Sequence, residues 1–496
     1  MSVVLPGAEQ LAGGVSLDAL FRANVASRSA SVALVDPLDR ASFAGGAPLR
    51  LTYADADAAV ERLTRKLRSF GLPTGSVVAL QLPNIVESVL SLLAILRANL
   101  IAAPVPMLWR RSDLVSALAP VEPKALITLA RFHDERPAEV VCEAAADLFS
   151  LSFPCAFGTG IPDGVIALDE DEEGFPAPEA PIARSSAGAV SIVSFDAAAD
   201  GFFAVARNDA QWLAAGLATL LEGSIGSGDT IVSATPCNSL AGLGGAFVPW
   251  LLSGGTLELV QNARPEKSVA GRAHLLGPAT ALAELAQGRM FASCIAVHRG
   301  GRVSNRDLSA LPCERIVDLF AFGEVGAVAL RRERRDKPEA IPLGPISAPA
   351  GARGAPVVVE ARMDDGRVLL RGPMVPNNPY PSELVRPRLR VAGDGFVSTG
   401  YRCRSDGNGA FTIEAGPERV VSVGALRFGL DDLRSRLAAC DDGVRVAVVD
   451  DALLGQRLRI EAADPAAASA ALLAAGHSRL VVDAVLGNTG GRTSSG

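Results

Sequence analysis

The chain has 496 residues, 49% of them apolar and 20% charged, with a formal net charge of −7. That is too long for one compact core, so at least two domains are expected, and the acidic balance leaves no broad basic surface for nucleic acid. Seven cysteines without CxxC or CxxxC spacing and four histidines without HxH or HExxH spacing exclude a recognisable disulfide framework or metal motif.

The N-terminus has no basic segment ahead of an apolar core, so no secretory signal is expected. Residues 58–70 place Val60, Leu63, Leu67 and Phe70 at helical spacing, with Gly71 where a helix C-cap belongs. Residues 77–82 read as a strand and 86–98 as a buried helix. The apolar run within it ends at Arg97, far short of a membrane span. Residues 101–105 and 125–128 read as strands, and strand–helix–strand order implies parallel pairing with helices on the sheet faces. Scattered cysteines and the lack of a span point to a cytoplasmic protein that does not cross a membrane.

A Pro- and acid-rich loop spans 169–181. Residues 190–195 are extended, and Asp209 is placed to cap a helix to Glu222, ended by Gly223. Residues 230–234 and 256–260 read as strands. The basic run Arg331, Arg332, Arg334 and Arg335, interleaved with Glu333 and Asp336, reads as a solvated loop. Hairpins are expected at Asp364–Asp365–Gly366 and near Gly407–Asn408–Gly409. After Gly416 a smaller unit follows: strands at 420–423, 444–449 and 458–462, helices at 430–439 and 465–475, and a Gly/Ser/Thr tail at 487–496.

Several fragments together resemble adenylate-forming (AMP-binding) enzymes of the acyl-CoA synthetase type. They are Leu51–Thr52–Tyr53, Gly75, Leu82–Pro83–Asn84, Leu96–Arg97–Ala98, Ala103–Pro104–Val105, Gly254–Gly255–Thr256, Asp394–Gly395–Phe396, Ser398–Thr399–Gly400, Val423–Gly424 and Leu454–Gly455. The resemblance implies an α/β fold. Its large N-terminal domain, residues 1–416, holds parallel and mixed sheets with flanking helices, and a small mobile α/β domain follows at 417–496. It also implies activation of a small carboxylic acid as an acyl-adenylate, then transfer to coenzyme A.

The positions that would handle ATP depart from that family's pattern. Its hydroxyl-rich phosphate loop corresponds to 194–204, where Ala197, Ala198 and Ala199 stand with Asp196 and Asp200, and lysine falls near Ala204. Carboxylates there repel a triphosphate. Gly201 is kept. Ser239 stands where histidine is usual. Asp318 to Glu324 resembles the adenine and magnesium segment: Glu324 is retained as the candidate catalytic residue and magnesium ligand, and Gly323 replaces threonine. Thr399 and Gly400 are kept, but Tyr401 replaces the ribose-clamping aspartate, and one phenol oxygen cannot accept from two hydroxyls as a carboxylate does. Pro417 replaces an arginine. No lysine follows Lys337, leaving Arg492 as a weak stand-in near the C-terminus.

The nucleotide-binding candidates are therefore Gly201, Gly323, Thr399, Gly400 and Tyr401. The first expectation is a protein deficient in adenylation that binds an acyl ligand or a protein partner. The alternatives are a carboxylate–CoA ligase using ATP, magnesium and coenzyme A through unorthodox contacts, and a hydrolase or transferase acting on an acyl thioester through Cys237, Ser239 or Asp209. If the site is merely stripped, Tyr401→Asp with Ala204→Lys and Asp200→Thr recovers some ATP affinity.

Overall fold

The computed structural model describes residues 14–169, 188–261, 271–300, 303, 306–382, 388–424, 426–438, 444–451 and 454–486. Most of the 169–181 loop, the tail and Arg492 lie outside them.

Alternating strands and helices build two large, mainly parallel sheets. The seven-stranded sheet runs Ile166–Ala167, Phe153–Phe157, Ala125–Leu129, Val77–Leu80, Ile101–Pro104, Val190–Ala198 and Gly201–Asn208. Only its last pair is antiparallel. The eight-stranded sheet runs Gly326–Arg331, Cys313–Phe322, Phe291–His298, Ala273–Pro278, Thr230–Ser233, Thr256–Leu259, Val32–Val35 and Arg50–Thr52, parallel except at its two outermost pairs. The Val86–Arg97 helix is buried on nearly every side, which is why its sequence carries no polar face. An antiparallel six-stranded sheet and a four-stranded one complete the architecture.

The quoted sequence fragments tie these layers together. Asn84, just past the Val77–Leu80 strand, donates from Nδ2 to Ser233 O at 2.7 Å and Val260 O at 2.9 Å, joining the two large sheets. The Tyr53 hydroxyl donates to Gly255 O at 2.8 Å. A side chain at Gly255 would collide with the Asp229 carbonyl, so only glycine lets those chains approach.

Local chemistry moves some expected boundaries. The Tyr53–Ser69 helix begins earlier than its apolar period suggests. Thr52 and Asp55 form a capping box, with Thr52 Oγ1 accepting from Asp55 N at 3.1 Å and Asp55 Oδ2 from Thr52 N at 3.0 Å. The Asp209–Gly223 helix is capped by Asn208, not Asp209. Asn208 Oδ1 accepts from Gln211 N at 2.9 Å, and Ser224 takes the left-handed exit rather than Gly223. The basic run is not a solvated loop. Arg332 is buried, giving Asp318 two hydrogen bonds of 2.8 Å, and Arg335 donates to Leu311 O at 2.7 Å and Cys313 O at 3.0 Å.

Candidate functional site

The stretch corresponding to a phosphate loop is a closed β-hairpin. Val190–Ala198 and Gly201–Asn208 pair as far as Ala198↔Gly201, leaving Ala199 and Asp200 as the turn, with Gly201 at φ +129°. Full pairing uses the backbone amides that an open loop would offer to an anion. The Ala199 carbonyl accepts from Asp431 N at 2.9 Å and Asp432 N at 3.1 Å, so the turn caps the first amides of the Leu430–Ala438 helix. Gly429 lies so close that a side chain there would strike the Ala198 and Ala199 carbonyls.

Behind the hairpin, Cys313–Phe322 turns sharply into Gly326–Arg331 through Gly323 at φ +59°. Glu324 sits in this turn, wholly buried. Its Oε2 accepts from Leu240 N at 2.7 Å and its Oε1 from Arg299 Nη2 at 2.6 Å. Burial raises its carboxyl above the ordinary range, while Arg299 pulls the other way. The Glu324 carbonyl accepts from Arg207, which also donates to Met374 O at 2.8 Å and Val325 O at 2.9 Å. Burial pushes the Arg207 guanidinium down to about 10, still charged at neutral pH.

Asp196 completes the cluster. Its Oδ2 accepts from Glu324 N at 2.8 Å and its Oδ1 pairs with Arg427, which the smaller sheet presents from the Leu426–Gly429 strand. Both side chains are buried. A Cβ at Gly323 would fall inside van der Waals contact of Asp196 Oδ2 and Arg427 Nη1. Tyr401 closes the remaining side, 1% exposed and edge-on to Phe322 at 5.3 Å, with the Arg427 guanidinium 5.6 Å from its ring centre. Its hydroxyl accepts from Gly323 N at 3.3 Å and reaches Arg299 O at 3.2 Å. Burial raises the phenol, which stays neutral.

Two cavities flank this plug. One, of about 660 Å³, lies outside the hairpin turn, where Thr399, Gly400, Pro417 and Arg388 line it. The other, of about 560 Å³, opens at the carboxyl ends of the Thr230–Ser233, Ala273–Pro278 and Phe291–His298 strands, where parallel α/β sheets commonly hold ligands. Thr235, Ser239, Thr280, His298 and Arg299 line it, with Leu454 on its far wall.

Residues 21–172 match the family model described as AMP-binding enzyme. The chain is similar to Mycobacterium smegmatis MbtA in its apo structure, with TM-score 0.65, 17% identity and coverage of 95% of this chain and 91% of that one. It is also similar to the amide bond synthetase McbA from Marinactinospora thermotolerans, with TM-score 0.66, 18% identity and 93% of each chain covered. The chain has the adenylate-forming fold. E. coli MenE with bound OSB-AMS aligns with TM-score 0.56 at 17% identity over 90% of this chain and 89% of that one. Among curated proteins, glycine betaine reductase ATRR of Emericella nidulans is 28% identical over 157 residues, 31% of this chain and 11% of that protein. Beauvericin nonribosomal cyclodepsipeptide synthetase BEA1 of Gibberella fujikuroi is 29% identical over 114 residues, 23% of this chain and 3% of that protein. The chain thus matches only a small fraction of these relatives' length.

On the adenylate-forming fold, the sequence-derived candidates fall in two places. Gly323, Glu324 and Tyr401 meet in the buried cluster. Thr399 and Gly400 border the outer cavity, where Thr399 Oγ1 donates to Val368 O at 2.8 Å and Pro417 packs on Gly400, and Gly201 lies between its lining residues Asp200 and Phe202. No group of three or more His, Cys, Asp and Glu side chains among the described residues is placed to hold a metal. Cys237 is a buried thiol pushed up to about 12 by burial, and the Ser239 hydroxyl accepts from Gly242 N at 3.4 Å. Asp196 was legible only as an unfavourable charge. Its partners lie 128 and 231 positions away, so neither Glu324 N nor Arg427 is signalled by local sequence. Arg207 and Arg299 were missed for the same reason. Among the described residues no helix is long and apolar enough to cross a membrane.

Proposed function

We propose that this adenylate-forming-fold protein does not carry out ATP-dependent adenylation and instead binds an acyl ligand, a small carboxylic acid or an acyl thioester, in the cavity at the strand ends. The observation that carries this reading is the filled space beside Gly323. Threonine at that position would collide with the Asp196–Arg427 pair. Glu324 already accepts hydrogen bonds at both carboxylate oxygens, and Tyr401 occupies the place of a two-oxygen ribose acceptor. The residues present therefore do not fit magnesium-bound ATP. The remaining cavity, of about 560 Å³, is within the range of small-molecule sites.

We take the chain as two units meeting near Gly416, the smaller carrying Arg427 onto the larger. Cytoplasmic residence fits six described cysteines that are all free thiols. ATP–pyrophosphate exchange, measured with magnesium across a panel of carboxylic acids, tests the proposal. Exchange at background for every acid is expected. Acid-dependent exchange would instead establish a carboxylate–CoA ligase working through unorthodox ATP contacts.

A further inference from the structure

The four-stranded sheet of the smaller unit has two edges that end differently. Its strands run in the order Leu426–Gly429, Val420–Val423, Gly455–Glu461 and Arg445–Asp451, antiparallel throughout. The Leu426–Gly429 edge packs against the hairpin turn of the larger unit, where Arg427 pairs with Asp196 and Gly429 lies against the Ala198 and Ala199 carbonyls. Beyond the Arg445–Asp451 edge no strand pairs among the described residues. An edge strand presents alternate N–H and C=O groups outward, and natural edges are blunted by shortness, proline, a bulge or a charge in mid-strand. Arg445–Asp451 has none of these. Its seven residues pair with Gly455–Glu461 without a bulge, contain no proline, and carry charge only towards the ends, around Val446–Ala447–Val448–Val449.

The inner face of this strand is also short of cover. Directly opposed residues of an antiparallel pair point to the same face, so Val446 and Val448 share the face of Ile460 and Leu458. Ile460 and Leu458 are buried in the core, whereas Val448, one strand further out, is 37% exposed. The apolar layer thus reaches the edge of the sheet incompletely covered.

The strand's own sequence fits this edge. A second copy related by a two-fold axis adds antiparallel, and such a contact must be self-complementary. Keeping the inner faces of both copies on one side restricts the register to steps of two residues. With Val448 on the axis, Arg445 is opposed by Asp451 of the second copy at both ends, Ala447 by Val449, and Val446 by Asp450. Opposite charges then meet twice and like charges nowhere. The neighbouring registers in either direction lose both Arg–Asp pairs. An unrelated extended peptide can use the same backbone groups; a second copy supplies both charge pairs as well.

We propose that the protein self-associates through Arg445–Asp451, two copies joining their smaller sheets into one continuous antiparallel sheet with Val448 on the two-fold axis. The proposal is independent of what the strand-end cavity binds.

Sedimentation velocity over a range of concentrations tests it on the full chain, and a concentration-dependent dimer is expected. Arg445→Glu sets two carboxylates against each other at each end of the contact, and Asp451→Arg sets two guanidiniums. Each change should weaken the dimer about tenfold or more, the scale of two opposed like-charge pairs. Mixed in equal amounts, the two variants offer each other opposite charges at both ends, so the mixture should dimerise again. Val448→Lys brings two ammonium groups together at the axis and should dissociate the dimer while the monomer melts like the parent. A monomer at every concentration would overturn the proposal. So would a dimer indifferent to Arg445→Glu and Val448→Lys, which would place the contact on another surface. A mixture that stays monomeric although both variants melt like the parent would overturn the register.

Discussion

The two sides of the central cleft differ in what lies at their centre: a buried ion pair and a phenol on one, a cavity on the other. On the hairpin side, Asp196, Glu324 and the Tyr401 hydroxyl hydrogen-bond to one another, to nearby backbone, or to Arg427 and Arg299, while Arg207 Nη1 and Arg427 Nε and Nη2 find no partner among the described residues. At the strand ends, a cavity of about 560 Å³ is lined by Thr235, Ser239, Thr280, His298 and Arg299. A nucleotide pocket that had only lost its ligating residues would leave space. Here a buried ion pair and a phenol fill the space beside Gly323, next to the cavity of about 660 Å³ that Asp196, Thr399 and Gly400 line.

The strongest way to break this comparison is Asp196→Ala. It leaves Arg427 buried without its carboxylate and Glu324 N without an acceptor, and stability should fall by about 3–5 kcal/mol in denaturant unfolding. Adding Arg427→Met should restore most of the loss. If the single variant is as stable as the parent, the pair does not hold the hairpin side shut.

Gly323→Thr puts a β-branched residue at φ +59° against the same pair. A loss of about 2–4 kcal/mol is expected from backbone strain and overpacking together. A neutral result would mean that the space beside Gly323 is open and that ATP binding should be re-examined.

The variant Tyr401→Asp/Ala204→Lys/Asp200→Thr separates a stripped site from a rebuilt one. A merely stripped site would recover some ATP affinity in this variant. On the function proposed above the outcome is the opposite, because the Asp196–Arg427 pair and the Ala199 contacts to the Leu430–Ala438 helix remain in the variant. Calorimetry with magnesium and ATP should give no saturable heat, and the variant should melt below the parent because an ionisable group replaces a buried phenol.

The smallest effect concerns how the smaller unit is seated. His477 is held neutral, its pKa lowered from 6.5 to about 4 by burial and then by Arg436, with Asp432 acting the opposite way. It faces Ser112 Oγ at 3.4 Å, and Arg436 pairs with Asp113 at 3.0 Å. Because the unfolded chain takes up the proton first, this group's contribution is present above its ordinary value and is lost as pH falls from 6.5 towards about 4. His477→Gln should therefore flatten the fall in Tm over that window relative to the parent. Parallel curves for parent and variant would place the acid sensitivity elsewhere.

Local periodicity and turn chemistry were enough to read most of the framework. The helix over Tyr53–Ser69, the buried Val86–Arg97 helix, the parallel strands and both hairpins follow from spacing, caps and glycines acting over a few residues. The family resemblance, and the replacements at Gly323, Tyr401 and Ala204, were also legible there. What filled the vacated space was not. The Asp196–Arg427 pair joins two different sheets, and both Glu324 oxygens are engaged by residues far from it in sequence. Burial turned Asp196 from a repulsive charge into a structural partner and drew Arg332 inward from an apparently solvated run. Local sequence carries the period of an element and the cost of a turn; which charges meet in the dark between elements depends on the packing that brings them there.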